Sequence, residues 1–265
     1  MNPGEDFEIR CFEYLKKAYS NPKLKFKHSG GMDSTTSDIA LYKDDKLEFY
    51  IEAKSPSAQS GQFVLIPDDN TKSFIYSDKN KSKQNEISKI IINHMNKNYE
   101  LYKNAGTAGK SINLDQNIFA DWIIDHYQKR NVKFVISYNS DFVIFPINRF
   151  ASYFNIVANY RAKKSGSSDP ARKDIKLIEN ELDKIYSKVT YQYVDKKFYA
   201  TINEIIKNHY FSVDNKTYYL SKQNIADNVY RITRLSNTNN MNVIFSISIK
   251  KEQEKSDLST FLEQL

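Results

Sequence analysis

The segment His28–Phe63, HSGGMDSTTSDIALYKDDKLEFYIEAKSPSAQSGQF, decides how the chain folds. It reads as a Gly-rich turn, a strand, a tight turn at Asp44-Asp45, a second strand over 47–54, and a polar loop. Side chains alternate across a strand, so Phe49, Ile51 and Ala53 share one face. Glu48, Tyr50, Glu52 and Lys54 share the other. Asp38 opens the first strand, and the Asp44-Asp45 turn folds that strand back on the second. A hairpin of this kind brings Asp38 close to Glu52 and Lys54. Hydrolysis of a phosphodiester calls for carboxylates that hold a metal, an activated water and a cation near the developing charge. Magnesium prefers oxygen ligands, so Asp38, Glu52 and the backbone carbonyl of Ala53 suit it. Lys54 is placed to orient the water or stabilise the transition state. On spacing alone the pattern equally fits a half-exposed hairpin whose charged side chains face solvent.

Outward from this segment, residues 5–19 carry Phe7, Cys11, Tyr14, Leu15 and Ala18 on one stripe at helical spacing. Glu8 lies at the margin of that stripe and Glu13 on the opposite side. Glu8 is therefore the helical acid expected near the site, through a water or as an outer ligand; favouring the helix N-terminus is its alternative role. Asp33 reads as a turn former. Leu24–Lys27 reads as a short strand, and residues 55–80 as mostly loop. Helices are expected over 82–104 and 115–130. Val132–Tyr138 and Phe142–Ile147, joined by Asn139-Ser140-Asp141, read as a hairpin. Beyond residue 150 the texture turns basic and polar. A helix near 171–187, strands over Tyr191–Ala200 and Tyr218–Leu220, a short helix at 202–210 and a hairpin of 229–235 with 242–249 are expected. A short helix is expected in the charged tail.

Asp38 followed fourteen residues later by Glu52-Ala53-Lys54 resembles the signature of the PD-(D/E)XK nuclease superfamily. GGMDSTTSDI resembles the approach to its first acidic residue, and Phe7-Glu8 with Leu15 resembles its first core helix. Ser37 stands where the family name has proline. The resemblance implies an α/β fold with a mixed central sheet flanked by helices, a restriction-endonuclease-like core over 1–150. Residues 151–265 would form a C-terminal α+β extension for DNA contacts. It also implies catalysis by Asp38, Glu52 and Lys54 with one or two Mg2+ ions. The enzyme would be a type II restriction endonuclease acting on double-stranded DNA, with a cognate methyltransferase as partner. One site cuts one strand, so a homodimer is expected. A junction resolvase on the same core and an inactive DNA-binding relative are the alternatives.

Candidate DNA contacts are Gln59 and Gln62 in the loop after Lys54, and Arg161, Lys163, Lys164 and Arg172 in the basic segment. Arg231, Arg234, Asn237 and Asn240 complete the set. A formal charge of +7 suits an anionic partner. One cysteine, Cys11, excludes an internal disulfide and a Cys-based zinc site. The acidic N-terminus lacks the apolar core of a signal peptide and no apolar run is long enough to span a bilayer, so a cytoplasmic protein is expected. His28, His94, His126 and His209 show no paired-ligand spacing. Trp122 reads as core.

Overall fold

The alternation over 46–53 forms a strand, and a five-stranded mixed sheet is built outward from it. The computed structural model describes residues 3–19, 21–29, 37–164, 167–195, 197–206, 209–223, 228–235 and 239–265. Its elements run α1 (Pro3–Tyr19), β1 (Leu24–His28), β2 (Ile39–Lys43), β3 (Lys46–Ala53), β4 (Ser57–Asp68) and β5 (Ser73–Tyr76). Then come α2 (Glu86–Lys97), the single turn α3 (Tyr99–Tyr102), β6 (Lys110–Ser111), α4 (Gln116–Gln128), β7 (Val132–Asn139) and β8 (Asp141–Pro146). A turn α5 (Phe150–Tyr153), β9 (Phe154–Lys164), α6 (Ile175–Ile185), β10 (Val189–Val194) and β11 (Lys197–Ile202) follow. The series closes with β12 (His209–Val213), β13 (Lys216–Lys222), β14 (Val229–Arg234), β15 (Asn239–Ile249) and α7 (Lys255–Leu262). Among the described residues no helix is long and apolar enough to cross a membrane.

The chain divides into two units, Met1–Arg161 with Met241–Leu265, and Ala162–Asn240. The expected boundary at 150 falls inside the first unit, and residues 241–265 return to it. Composition changes near 150, but β9 continues the first unit's second sheet through that point.

The first sheet has the order β1-β2-β3-β7-β8. β1, β2 and β3 are antiparallel neighbours, β3 and β7 pair in parallel, and β7 and β8 form the expected hairpin. Asp44 and Asp45 both sit at positive φ, 48° and 63°, as a two-residue hairpin turn of matching twist demands. Such φ values suit a short polar side chain that bonds locally. Phe7, Cys11 and Leu15 of α1 pack on one face of the sheet with Phe26, Leu41, Phe49, Ile51, Phe134 and Phe261. Each large side chain so buried contributes roughly 1.5–3 kcal/mol. Glu5 and Asp6 in the first turn of α1, and Lys16 and Lys17 in its last, match the helix dipole. The second core of this unit gathers α2, α4 and the second sheet, and contains Trp122, as expected.

That second sheet, β5-β4-β15-β9-β6, corrects the loop expected over 55–80, where β4 and β5 stand instead. β4 and β15 are antiparallel, with a register shift between Ile244 and Ser246 opposite Gln62 and Gln59. The helix expected over 82–104 is shorter and broken. α2 begins at a capping box of Asn85 and Ser88, and Asn98 separates it from α3.

In the second unit β10-β11-β14-β13-β12 forms an antiparallel sheet, with its own core of Ile178, Leu182, Phe198, Tyr218, Leu220, Tyr230 and Ile232. Three expectations fail here. The strand expected over Tyr191–Ala200 is the hairpin of β10 and β11, turned at Asp195 with φ of 49°. Residues 209–213 are strand β12, because alternation places Phe211 in the core between exposed neighbours. β14 and β15 are not a hairpin: β14 pairs with β11 and β13, while β15 belongs to the other sheet. Apolar residues flanking a polar linker mark two strands but not which partners they choose.

Candidate active site

Asp38 lies at the entry to β2 and Glu52 near the end of β3, with Lys54 just beyond. The hairpin register pairs Ile39 with Ile51, which brings Asp38 level with Glu52. Asp38 Oδ2 accepts a hydrogen bond from the Ala53 backbone N–H at 2.9 Å. Lys54 Nζ donates to Glu52 Oε1 at 2.6 Å. This pair is enclosed: the side chains of Lys54 and Glu52 keep 14% and 7% of their accessible surface. The parallel β3–β7 pairing fixes the backbone beneath. Lys54 N–H donates to the Ile136 carbonyl at 2.9 Å, and Ser137 Oγ donates to the Lys54 carbonyl at 2.6 Å.

The electrostatics follow from burial. Burial first, then the charge of Glu52, pushes the Asp38 carboxyl well above the usual carboxylate range. Lys54 and the Ala53 N–H act in the opposite sense, and Glu8 adds to the rise. Burial alone would lower the Lys54 pKa, but Glu52, Tyr127 and Asp38 outweigh it and hold the ammonium charged. Two enclosed carboxylates thus face one ammonium, itself paired with Glu52.

Glu8 comes from α1 to the same neighbourhood, close enough to act on Asp38. Its Oε2 approaches His28 Nε2 to 3.4 Å without hydrogen-bond geometry. Glu13 is exposed. Among the described residues no three His, Cys, Asp or Glu side chains group as a metal cage. The oxygen donors at hand are two carboxylates and backbone carbonyls, a donor set suited to a hard dication that keeps its waters.

Tyr127 and Ser137 belong to this site and were missed in the sequence. Lys54 Nζ lies 5.3 Å from the centre of the Tyr127 ring, and Tyr127 is buried. On the page of letters Tyr127 is one more apolar position of a helix, and Ser137 a small residue in a strand. Only the fold puts α4 and β7 beneath Lys54.

The candidate contact residues divide between the units. Gln59 and Gln62 are exposed on β4, where Gln59 Nε2 donates to Gln62 Oε1 at 2.9 Å. Arg161 is exposed on β9, followed by the half-exposed Lys163. Lys164 ends that strand, and its side chain lies outside the description. In the second unit Arg172 lies 5.6 Å from the ring centre of Tyr193, and Arg231 pairs with Asp169 at 2.9 Å. Arg234 exchanges backbone hydrogen bonds with Ser168. Asn240 is half-buried at the start of β15. Asn237, Asp33 and the Gly30-Gly31 turn lie outside the described residues.

No family model matches the chain, and no curated protein matches it. A solved structure does: HhaI endonuclease in complex with DNA, 39% identical, covering 98% of each chain with a TM-score of 0.84. Together with the mixed sheet, this match makes the chain a restriction-endonuclease-like nuclease. The chain belongs to the HhaI endonuclease family.

Proposed function

We propose that the protein is a magnesium-dependent, sequence-specific DNA endonuclease of the type II restriction kind, with a PD-(D/E)XK active site. The carrying observation is the enclosed constellation of Asp38, Glu52 and Lys54, positioned through Ala53, in a chain 39% identical to an endonuclease solved with DNA. Asp38, Glu52 and the Ala53 carbonyl would hold the ion, with Glu8 reaching it through water. When bound, magnesium supplies positive charge to the scissile phosphate and an acidified water. The repulsion between Asp38 and Glu52 fits that role, since a dication relieves it.

The chain's own residues do the rest. Glu52 holds the Lys54 ammonium by a 2.6 Å bond, and the Tyr127 ring lies beneath it. The ammonium remains charged there, a preorganised cation for the negative charge that develops on the phosphate. Ser137 and Ile136 fix the backbone of Lys54 on the parallel strand. The nucleophile is water, so no covalent enzyme intermediate forms. Gln59, Gln62, Arg161, Lys163, Lys164, Arg172, Arg231, Arg234, Asn237 and Asn240 are the proposed DNA contacts. A host carrying such an enzyme needs a methyltransferase that protects its own sites. One site cuts one strand, so breaking the duplex takes a homodimer or two successive visits. The homodimer is the proposal, and accumulation of nicked plasmid before linear product would refute it.

The test is incubation of the protein with unmethylated plasmid and genomic DNA, with and without magnesium, beside Asp38→Ala and Lys54→Ala. Discrete bands that need magnesium and fall by at least about a hundredfold in both variants are expected. A smear would remove sequence specificity, cutting confined to junctions would indicate a resolvase, and binding without cleavage would sink the enzymatic reading.

A further inference from the structure

A hollow of about 340 Å³ lies in the first unit beside the active site, lined by Gly61, Gln62, Lys79, Lys81, His126 and Arg130 among others. Its position follows from α4. His126 of α4 lines the hollow and lies close enough to Glu52 and Lys54 to feel their charges. The wall opposite is β4, the strand that continues from the loop after Lys54.

The hollow is built to be electropositive. Three of its lining residues, Lys79, Lys81 and Arg130, are cations, and no acidic residue lines it. Among the described residues neither Lys79 nor Arg130 is in an ion pair. The nearest carboxylate on α4, Asp125, is already engaged by Lys129 Nζ at 2.5 Å and by Asn85 Nδ2 at 2.7 Å. Asp78, on the loop that carries Lys79, lines a neighbouring hollow with Lys83. The loop itself is held in place: Asn80 accepts from Val64 N–H at 2.7 Å and donates to the Val64 carbonyl at 2.9 Å. Tyr76 O–H donates to the Ser82 carbonyl at 3.0 Å.

We propose that this hollow binds a backbone phosphate of the DNA strand lying in the active site, with Lys79 and Arg130 as its cationic ligands. The proposal rests on the DNA-endonuclease reading and deepens it by assigning a site that positions the strand beside the scissile bond. Cations in a concave wall suit a phosphodiester oxygen, which carries charge and no base identity. The neutral His126 and the amide of Gln62 complete the wall with hydrogen-bonding groups. A phosphate seated here constrains the strand next to Lys54, so the site sets register rather than sequence.

The test measures binding of a linear duplex that the wild-type enzyme cleaves, in EDTA, across a range of salt concentrations. Arg130→Gln and Lys79→Gln are compared with wild type and with Lys97→Gln, an exposed lysine at the end of α2 that controls for net charge. Each hollow variant is expected to weaken binding on the order of tenfold and to lower the slope of log K against log salt by about 0.9. Lys97→Gln is expected to leave that slope unchanged. Melting temperatures identify a variant that misfolds, and Lys79, exposed on a loop, serves if Arg130→Gln does. Wild-type slopes in the hollow variants would overturn the proposal, as would an equal drop in Lys97→Gln. Failure of the wild-type protein to bind DNA at all would overturn the underlying endonuclease reading instead, and is visible in the wild-type arm alone.

Discussion

Lys54 is held by groups of opposite character: a carboxylate on one side and an aromatic face beneath. The ring orients the ammonium without neutralising it. Tyr127→Phe keeps that face, and Tyr127→Leu removes it. A desolvated cation–π contact contributes about 2 kcal/mol. The single-turnover cleavage rate of Tyr127→Leu at saturating enzyme is therefore expected to fall at least about tenfold, and that of Tyr127→Phe by less. His126 offers a second measurement. Burial first, then Arg130, lowers its pKa from 6.5 to about 4. Between those two values the unfolded chain binds a proton that the folded chain does not, so stability rises with pH. The contribution is complete above about pH 6.5 and is lost as the pH falls toward 4. A denaturant series over that range is expected to show a shallower acid slope for His126→Gln than for wild type. These residues also show what a sequence conveys. Asp38, Glu52 and Lys54 were legible because strand alternation is local and the hairpin turn lies between them. Tyr127 was not, because its partner is 73 positions away in the numbering and only the parallel crossover joins them.

At the scale of an element, β4 shows why a polar segment hides a strand. Its buried residues, Ser60, Phe63 and Leu65, do not keep a strict two-residue period, since the register shifts near Gly61. Gly61 has φ of +114°, and a Cβ there would lie 2.6 Å from Trp122 Cζ3. A side chain at this position is penalised twice, by backbone conformation and by collision with a buried ring. Gly61→Ala is expected to cost about 1–3 kcal/mol. The check is a lower urea midpoint with an unchanged m-value. A breaker such as glycine, amid Ser and Gln, reads as loop when only composition is visible. By contrast α1, β3, α4 and the β7–β8 hairpin announce themselves, because each has a clean apolar period and a turn residue at its end.

At the scale of the molecule, the first unit is discontinuous. Phe261 of α7 packs with Phe7, Cys11 and Leu15 of α1, and Gln253 bonds the Ile144 backbone through both its amide oxygen and its amide nitrogen. Asp257 accepts from the buried Tyr153 hydroxyl at 2.6 Å. No period or motif links residues so far apart, so the sequence could not reveal the return. The second unit has its own core and its own buried acid. Asp174 accepts from Lys216 Nζ at 2.7 Å and Tyr218 O–H at 3.0 Å, and the Lys216 bond chiefly lowers its pKa. Calorimetry is expected to resolve two transitions. Phe261→Ala should lower one of them by about 3–5 kcal/mol, and Asp174→Ala should lower the other.

Cys11, the single cysteine, has no accessible surface, and burial raises its thiol far above the range where thiolate forms. A thiol reagent can reach it only when α1 lifts from the sheet. Labelling of the unaltered chain therefore times the opening of one layer, the layer that also carries Glu8. Added at different moments of a cleavage reaction, the reagent would report whether that layer opens during turnover. No dye-bearing mutant is needed for such a chronology.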